Sequence, residues 1–200
     1  MSAKLRSAVI CAAAALLGAC QSSPPTHYFA LAEIAPGAPR ATLTVQIPIR
    51  VERVTIPGEL DRLELVRRST SNQLQIATFE RWAAPLEDMI RRVGAADLAA
   101  RFAPGTMASA NEPAVGEPRR HLYIDVHEFA AGEHGAVTLH AAWLLQSPNA
   151  ASARGAEEVT VEASNASGDA VAAAMSRALA GLTDRIAAAL AAQAESKKSE

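Results

Sequence analysis

Cys20 is the one residue of this chain whose neighbours dictate a covalent chemistry. It closes the run Leu16-Leu17-Gly18-Ala19-Cys20, after a basic start at Lys4 and Arg6 and an apolar stretch from Val9 to Leu17. That stretch is too short for a membrane-spanning helix, which needs about 20 apolar residues. Basic, then apolar, then small residues before a cysteine is the pattern of a lipoprotein signal. Cleavage before Cys20 leaves its thiol to carry diacylglycerol and its amine a further acyl chain, palmitate among the chemistries. More than one chain holds a protein stably, each buried CH₂ contributing about 0.8 kcal/mol. Gln21 follows the cysteine where an aspartate would favour inner-membrane retention, so the expected location is the outer membrane. Cys11 leaves with the signal. The mature chain then has a single thiol and forms neither an internal disulfide nor a thiolate metal cluster.

Other chemistry-bearing residues are weighed against simpler readings. His127 and His140 fall on one face of an expected hairpin, with Asp125 two positions along, and two histidines with a carboxylate are a weak candidate for zinc or iron. The simpler reading is a solvated sheet face. Ser164, Ser167 and Ser176 lie at or near a helix with no base marked beside them, and no Gly-x-Ser-x-Gly is present. The adjacent pairs Glu87-Asp88 and Glu157-Glu158 read as a first-turn helix charge and a strand edge. Gly94 and Gly181 are lone helix glycines, so no phosphate-binding loop is expected. The sequence thus gives no catalytic residue and no cofactor beyond the covalent lipid. The run Arg81-Trp82-Ala83-Ala84-Pro85-Leu86 stands out instead, as a packing anchor or a partner surface.

Composition bounds the rest. Removing residues 1–19 leaves 181, enough for one domain with a sizeable core. The mature chain has 17 basic and 21 acidic residues, which is no footprint for a nucleic-acid binder. The expected organisation is a signal peptide over 1–19, a lipidated tether over 20–27, one domain over 28–194 and a charged tail over 195–200. The tether segment 21–26 reaches about 20 Å if fully extended.

Hydrophobic periodicity supplies the elements that position these residues. Tyr28-Phe29-Ala30-Leu31 is the first apolar cluster and an expected edge of the fold. Period-two alternation predicts a strand over 43–51 that continues with its phase slipped after Glu52, a bulge near Arg53. Strands over 63–67 and 73–79 flank a turn at 69–72. A helix is expected over 82–102, with Trp82, Leu86, Met89, Ile90 and Val93 on one face and Pro85 within its first turn. The expected hairpin of 122–130 with 137–145 sets Ala130 opposite Val137, Val126 opposite Ala141, Ile124 opposite Trp143 and Leu122 opposite Leu145. That register puts His127 opposite His140. A small-residue loop over 150–156, a strand over 159–163 and a long helix capped by Asp169 complete the chain. The fold class is α+β: a single domain with a mixed, mainly antiparallel sheet packed with two long helices. The strand–helix–strand step over 73–129 is a candidate parallel crossover.

Taken together, the lipobox, Tyr28-Phe29-Ala30-Leu31, the phrase from Val54 to Arg62, Arg81-Trp82-Ala83-Ala84-Pro85-Leu86, the Val137-to-Trp143 strand and the C-terminal helix resemble the PqiC-type lipoproteins, also called ABC-type transport auxiliary lipoproteins. Ala84 departs from the acidic residue usual at that place in the family. The resemblance implies a non-enzymatic outer-membrane lipoprotein facing the periplasm. Its partner would be an MCE-domain tube protein, in a system that moves lipid between membranes and supports envelope integrity. A ring-forming partner makes a homo-oligomer an expectation. The alternative is a lipoprotein cofactor of another envelope machine, for peptidoglycan synthesis or outer-membrane assembly. A metal enzyme built on His127 and His140 is the third reading.

Overall fold

The computed structural model describes residues 23–37, 47–108, 120–148 and 150–196. Along the chain the elements are β1 (His27–Phe29), β2 (Ile49–Thr55), β3 (Glu64–Thr70), β4 (Gln73–Trp82), α1 (Leu86–Arg101), β5 (Arg120–Ala131), β6 (Ala136–Ser147), β7 (Ala150–Glu162) and α2 (Gly168–Ser196). The strands form one sheet in the order β1-β4-β3-β5-β6-β7, and β2 also pairs with β5. Because β6 takes one edge of β5, β2 and β3 share the other, β2 along Arg120 to Asp125 and β3 at Ala131. The sheet is mixed, as expected. The long ladders β5·β6 and β6·β7 are antiparallel, as is β3·β4, while β1·β4, β2·β5 and β3·β5 are parallel.

The core lies on one face of this sheet. Val137, Leu139, Ala141, Trp143 and Leu145 alternate inward along β6 and are all buried. They meet α2, whose Val171, Met175, Leu179, Leu182, Ile186 and Leu190 step along one stripe and are buried in turn. α2 packs against β5, β6, β7 and α1, so both helices share one face and the other face carries none among the described residues. Full burial of such side chains contributes about 1.5–3 kcal/mol each, and this stripe is the main force holding helix to sheet.

A strap joins the N-terminal segment to the helix pair. The Ala32 N–H donates to Ser176 Oγ at 3.0 Å and the Ile34 N–H to Asp97 Oδ1 at 2.9 Å. Arg101, 3% exposed, donates from Nε to Asp184 Oδ1 at 2.6 Å, from Nη1 to the Asp97 and Ile34 carbonyls and from Nη2 to the Ala180 carbonyl. One buried guanidinium thereby ties 34, α1 and α2 together. A buried charge is tolerated only when its donors are satisfied in this way.

Several expectations are corrected. The first helix starts at Leu86, not 82. Trp82 ends β4 instead: its N–H donates to the Leu63 carbonyl at 2.6 Å and it pairs with Phe29 of β1. Pro85 has extended backbone (φ −50°, ψ 132°) and stands at the N-cap, outside the first turn. Residues 150–156 are strand, not loop. Their small side chains look like a linker, but Gly155 pairs with Trp143, and a Cβ there would lie 2.8 Å from the indole nitrogen. Tertiary packing against the tryptophan selects the glycine. Ser167, not Asp169, caps α2, its Oγ accepting from the Ala170 N–H at 3.2 Å. Ala131 rather than Ala130 pairs with Val137, because a bulge follows Val126, while the three pairs below the bulge are as expected. The step from β4 through α1 to β5 is not a parallel crossover between neighbours, since β3 lies between them and β4 is antiparallel to it. His27 belongs to β1 rather than to the tether, and α2 extends to Ser196, past the expected end at 194. Cys20, residues 43–46 of the expected first long strand and the segment 109–119 lie outside the described residues.

Candidate functional site

The helix-free face of the sheet carries a groove of about 700 Å³, built from two rows of cross-strand neighbours. One row runs Arg53, Tyr123, Leu144, Arg154 over β2, β5, β6 and β7; the next runs Thr55, Asp125, Ala142, Ala156. A bulge creates the first row. The register of β2 against β5 shifts between Val51 and Arg53, so Val51 and Val54 both face the core and Arg53 faces out beside Tyr123. The floor is small and apolar at Ala142 and Ala156. Trp143 and Gly155 back it from the core side.

Charge is distributed unevenly across this groove. Arg53 and Arg154 are exposed and make no ion pair or hydrogen bond among the described residues. They are separated by three strand spacings, about 14 Å. The acidic member, Asp125, is occupied: Thr55 Oγ1 donates to its Oδ1, and its Oδ2 lies 3.5 Å from His127 Nε2. The groove therefore offers two free guanidinium groups at the ends of an apolar strip. It suits a ligand that is apolar in the middle and acidic at its ends.

The histidines lie one row further along. His127 is the extra residue of the β5 bulge, and Glu128, not His127, pairs with His140. The rings of His127 and His140 still approach, with centroids 5.1 Å apart and planes tilted by 43°. Among the described residues no three His, Cys, Asp or Glu side chains come together in a metal-binding group.

The Arg81-to-Leu86 run is placed at the other half of the sheet. Trp82 and Leu86 are each 2% exposed and sit in the core with Phe129 and Met175. Arg81 pairs with Glu64 at 3.0 Å, and Pro85 ends the strand run before α1. Trp82 and Leu86 anchor β4 and α1, Arg81 and Pro85 stay at the surface, and none of the four lines the groove. The groove residues Arg53, Tyr123, Leu144 and Arg154 escape sequence reading. The β5·β6 register already sets Tyr123 opposite Leu144, but Arg154 falls in the stretch whose composition reads as loop.

Residues 29–187 match the ABC-type transport auxiliary lipoprotein component, and the chain belongs to that family. Its members are auxiliary components of ABC-type transport systems. The fold recurs in a crystal structure of an uncharacterised protein, 21% identical, with TM-score 0.70, covering 82% of this chain and 98% of that one. It recurs also in XCC0632 from Xanthomonas campestris, 22% identical, with TM-score 0.64, covering 85% of this chain and 99% of that one. At this identity the likeness carries the fold alone. A search of curated proteins finds no match. Among the described residues no helix is long and apolar enough to cross a membrane.

Proposed function

We propose that this protein is the non-enzymatic docking subunit of an MCE-type lipid transport system. Acylated Cys20 holds it at the outer membrane, facing the periplasm, and the open sheet face receives the end of the MCE-domain tube. The observation that supports this most is the groove: an apolar strip on a helix-free face, with Arg53 and Arg154 unpaired at its ends. Free arginines beside an apolar floor select an acidic, apolar segment of the partner. The role needs no catalytic group, only an anchor, a rigid sheet and a complementary surface.

Affinity purification of the lipidated protein from its own envelope tests this reading. The wild type is expected to recover the MCE-domain tube protein. The double variant Arg53→Glu/Arg154→Glu is expected to recover at least about tenfold less, since reversing charges that face a partner's carboxylates costs several kcal/mol. Equal recovery by both proteins removes the groove from the docking surface. Recovery of a peptidoglycan synthase or an outer-membrane assembly complex in place of the tube transfers the protein to the other envelope machine.

A further inference from the structure

Among the described residues four large hydrophobic side chains are exposed: Tyr28 (64%), Leu63 (43%), Ile76 (46%) and Phe79 (38%). None lies on β5, β6 or β7. Tyr28 is on β1, Ile76 and Phe79 are on β4, and Leu63 immediately precedes β3 with its carbonyl accepting the Trp82 N–H. All four therefore collect at one side of the sheet, where β1 is the outermost strand and pairs only with residues 80–82 of β4. Scattered exposed apolar residues need no explanation, but a cluster confined to one edge does.

That edge is also where the chain arrives from Cys20. Six residues separate Cys20 from His27, and the seven Cα steps reach at most about 25 Å even when fully extended. The strap from Ala32 and Ile34 to Ser176 and Asp97 fixes the chain just beyond β1, so slack in the tether cannot be drawn from the fold. The charged side chains of β3 and β4 are paired: Arg81 with Glu64, Arg67 with Glu80 at 2.7 Å and Arg68 with Glu128 at 3.3 Å; Asp61 and Arg62, before Leu63, are exposed outside these strands. A surface with an aromatic ring and aliphatic groups but no free charge on its two strands matches the boundary between headgroups and acyl chains, where amphipathic tyrosine is favoured.

We infer that the β1–β4 edge is a membrane-contact surface. Tyr28, Ile76 and Phe79 insert into the headgroup region and orient the domain, with the groove half of the sheet turned away from the bilayer. The inference rests on the lipid anchor at Cys20, although not on the identity of the protein docked in the groove.

The test uses the full chain with its lipid anchor, reconstituted into vesicles of phosphatidylethanolamine and phosphatidylglycerol. With Cys20 acylated, each of Ile76→Cys, Phe79→Cys and Thr160→Cys supplies a single reactive thiol for an environment-sensitive fluorophore. Thr160 is exposed on β7, the opposite edge strand. Brominated phospholipid is expected to quench the probes at 76 and 79 on the order of twofold or more, as shallow insertion requires, and to leave the probe at 160 unchanged. Raising the salt to 0.5 M, roughly a 4 Å screening length, should leave the quenching in place. The triple variant Tyr28→Ser/Ile76→Thr/Phe79→Ser should keep the wild-type hydrogen exchange in detergent and lose the membrane-dependent protection of β4 in vesicles. Equal quenching at all three sites, no quenching at 76 and 79, or quenching abolished by salt overturns the inference. Capture of a protein rather than lipid by a photo-crosslinker at Phe79 overturns it too. Mass spectrometry of the Cys20 peptide keeps the two failures apart: an unacylated Cys20 removes the anchor, whereas acylation without the expected quenching removes only the contact surface.

Discussion

Gly155 and Asp97 show how single residues constrain this protein. A Cβ at 155 would fall 2.8–2.9 Å from three atoms of the Trp143 indole, on a ring that is 3% exposed. Gly155→Ala should therefore destabilise by about 1–3 kcal/mol through overpacking. Trp143→Ala should cost about 3–5 kcal/mol through the cavity it leaves. Urea unfolding of both variants checks the order. Asp97 is 1% exposed, and burial raises its carboxyl above the usual range, while the Ile34 N–H and Arg101 oppose the shift. A raised carboxyl pKa means that the folded chain holds this proton more tightly than the unfolded chain. Its contribution is greatest below the ordinary carboxylate pKa and is lost as pH rises through the raised value. Asp97→Asn removes that dependence, so the melting temperature of wild type minus variant should fall as pH rises from about 4 to 7. A difference that is flat or rises with pH contradicts the assignment.

Bulges and caps act at the scale of elements. The bulge in β2 between Val51 and Arg53 lets one strand bury Val51 and Val54 while turning Arg53 to the groove. The bulge in β5 does the same around His127 and Glu128, so Val126 and Phe129 are both buried. The first was legible, because the apolar phase of β2 changes from odd to even numbers. The second leaves the same mark, since Phe129 breaks the even phase of Leu122, Ile124 and Val126, but the expected register of 122–130 with 137–145 runs straight through it. The start of α2 is a local matter of one hydroxyl. Ser167→Ala leaves the Ala170 N–H without its side-chain partner and should cost about 1 kcal/mol, read from thermal or urea unfolding. Asp169→Ala should cost less, because that carboxylate only faces the helix dipole, worth roughly 0.3–1 kcal/mol.

The whole molecule divides along the sheet. The half made by β1 and β4 carries the incoming chain and the exposed Tyr28, Ile76 and Phe79; the half made by β2, β5, β6 and β7 carries the groove. Four strand spacings, about 19 Å, separate β4 from β7. Substitutions in the two halves share no contact, so their effects should add. Arg53→Glu/Arg154→Glu should lose the docked partner without changing membrane fractionation. Ser176→Ala, which removes the acceptor of the Ala32 N–H, should raise hydrogen exchange in 30–34 without altering partner recovery. A Ser176→Ala variant that loses the partner would join the two halves and contradict this division.

The anchor chemistry expected at Cys20, the α+β class, the β5·β6 register below the bulge and the buried stripe of α2 all follow from the order of residues. Each depends on local pattern: small residues before a cysteine, alternation on a half-buried strand, a step of three or four on a helix. The family resemblance was visible there too, in short motifs along the mature chain. The candidate site was not. Arg53, Tyr123, Leu144 and Arg154 are spread over about a hundred residues and meet only because four strands align in register. Composition marks 150–156 as a linker, and only Trp143 across the ladder makes those small residues a strand. Trp82 similarly looks like the start of a helix until Leu63 and Phe29 claim it for the sheet. A short-range pattern can report which side of an element is apolar. Which residues share a surface is decided by pairing between distant segments, and that is a property of the tertiary structure alone.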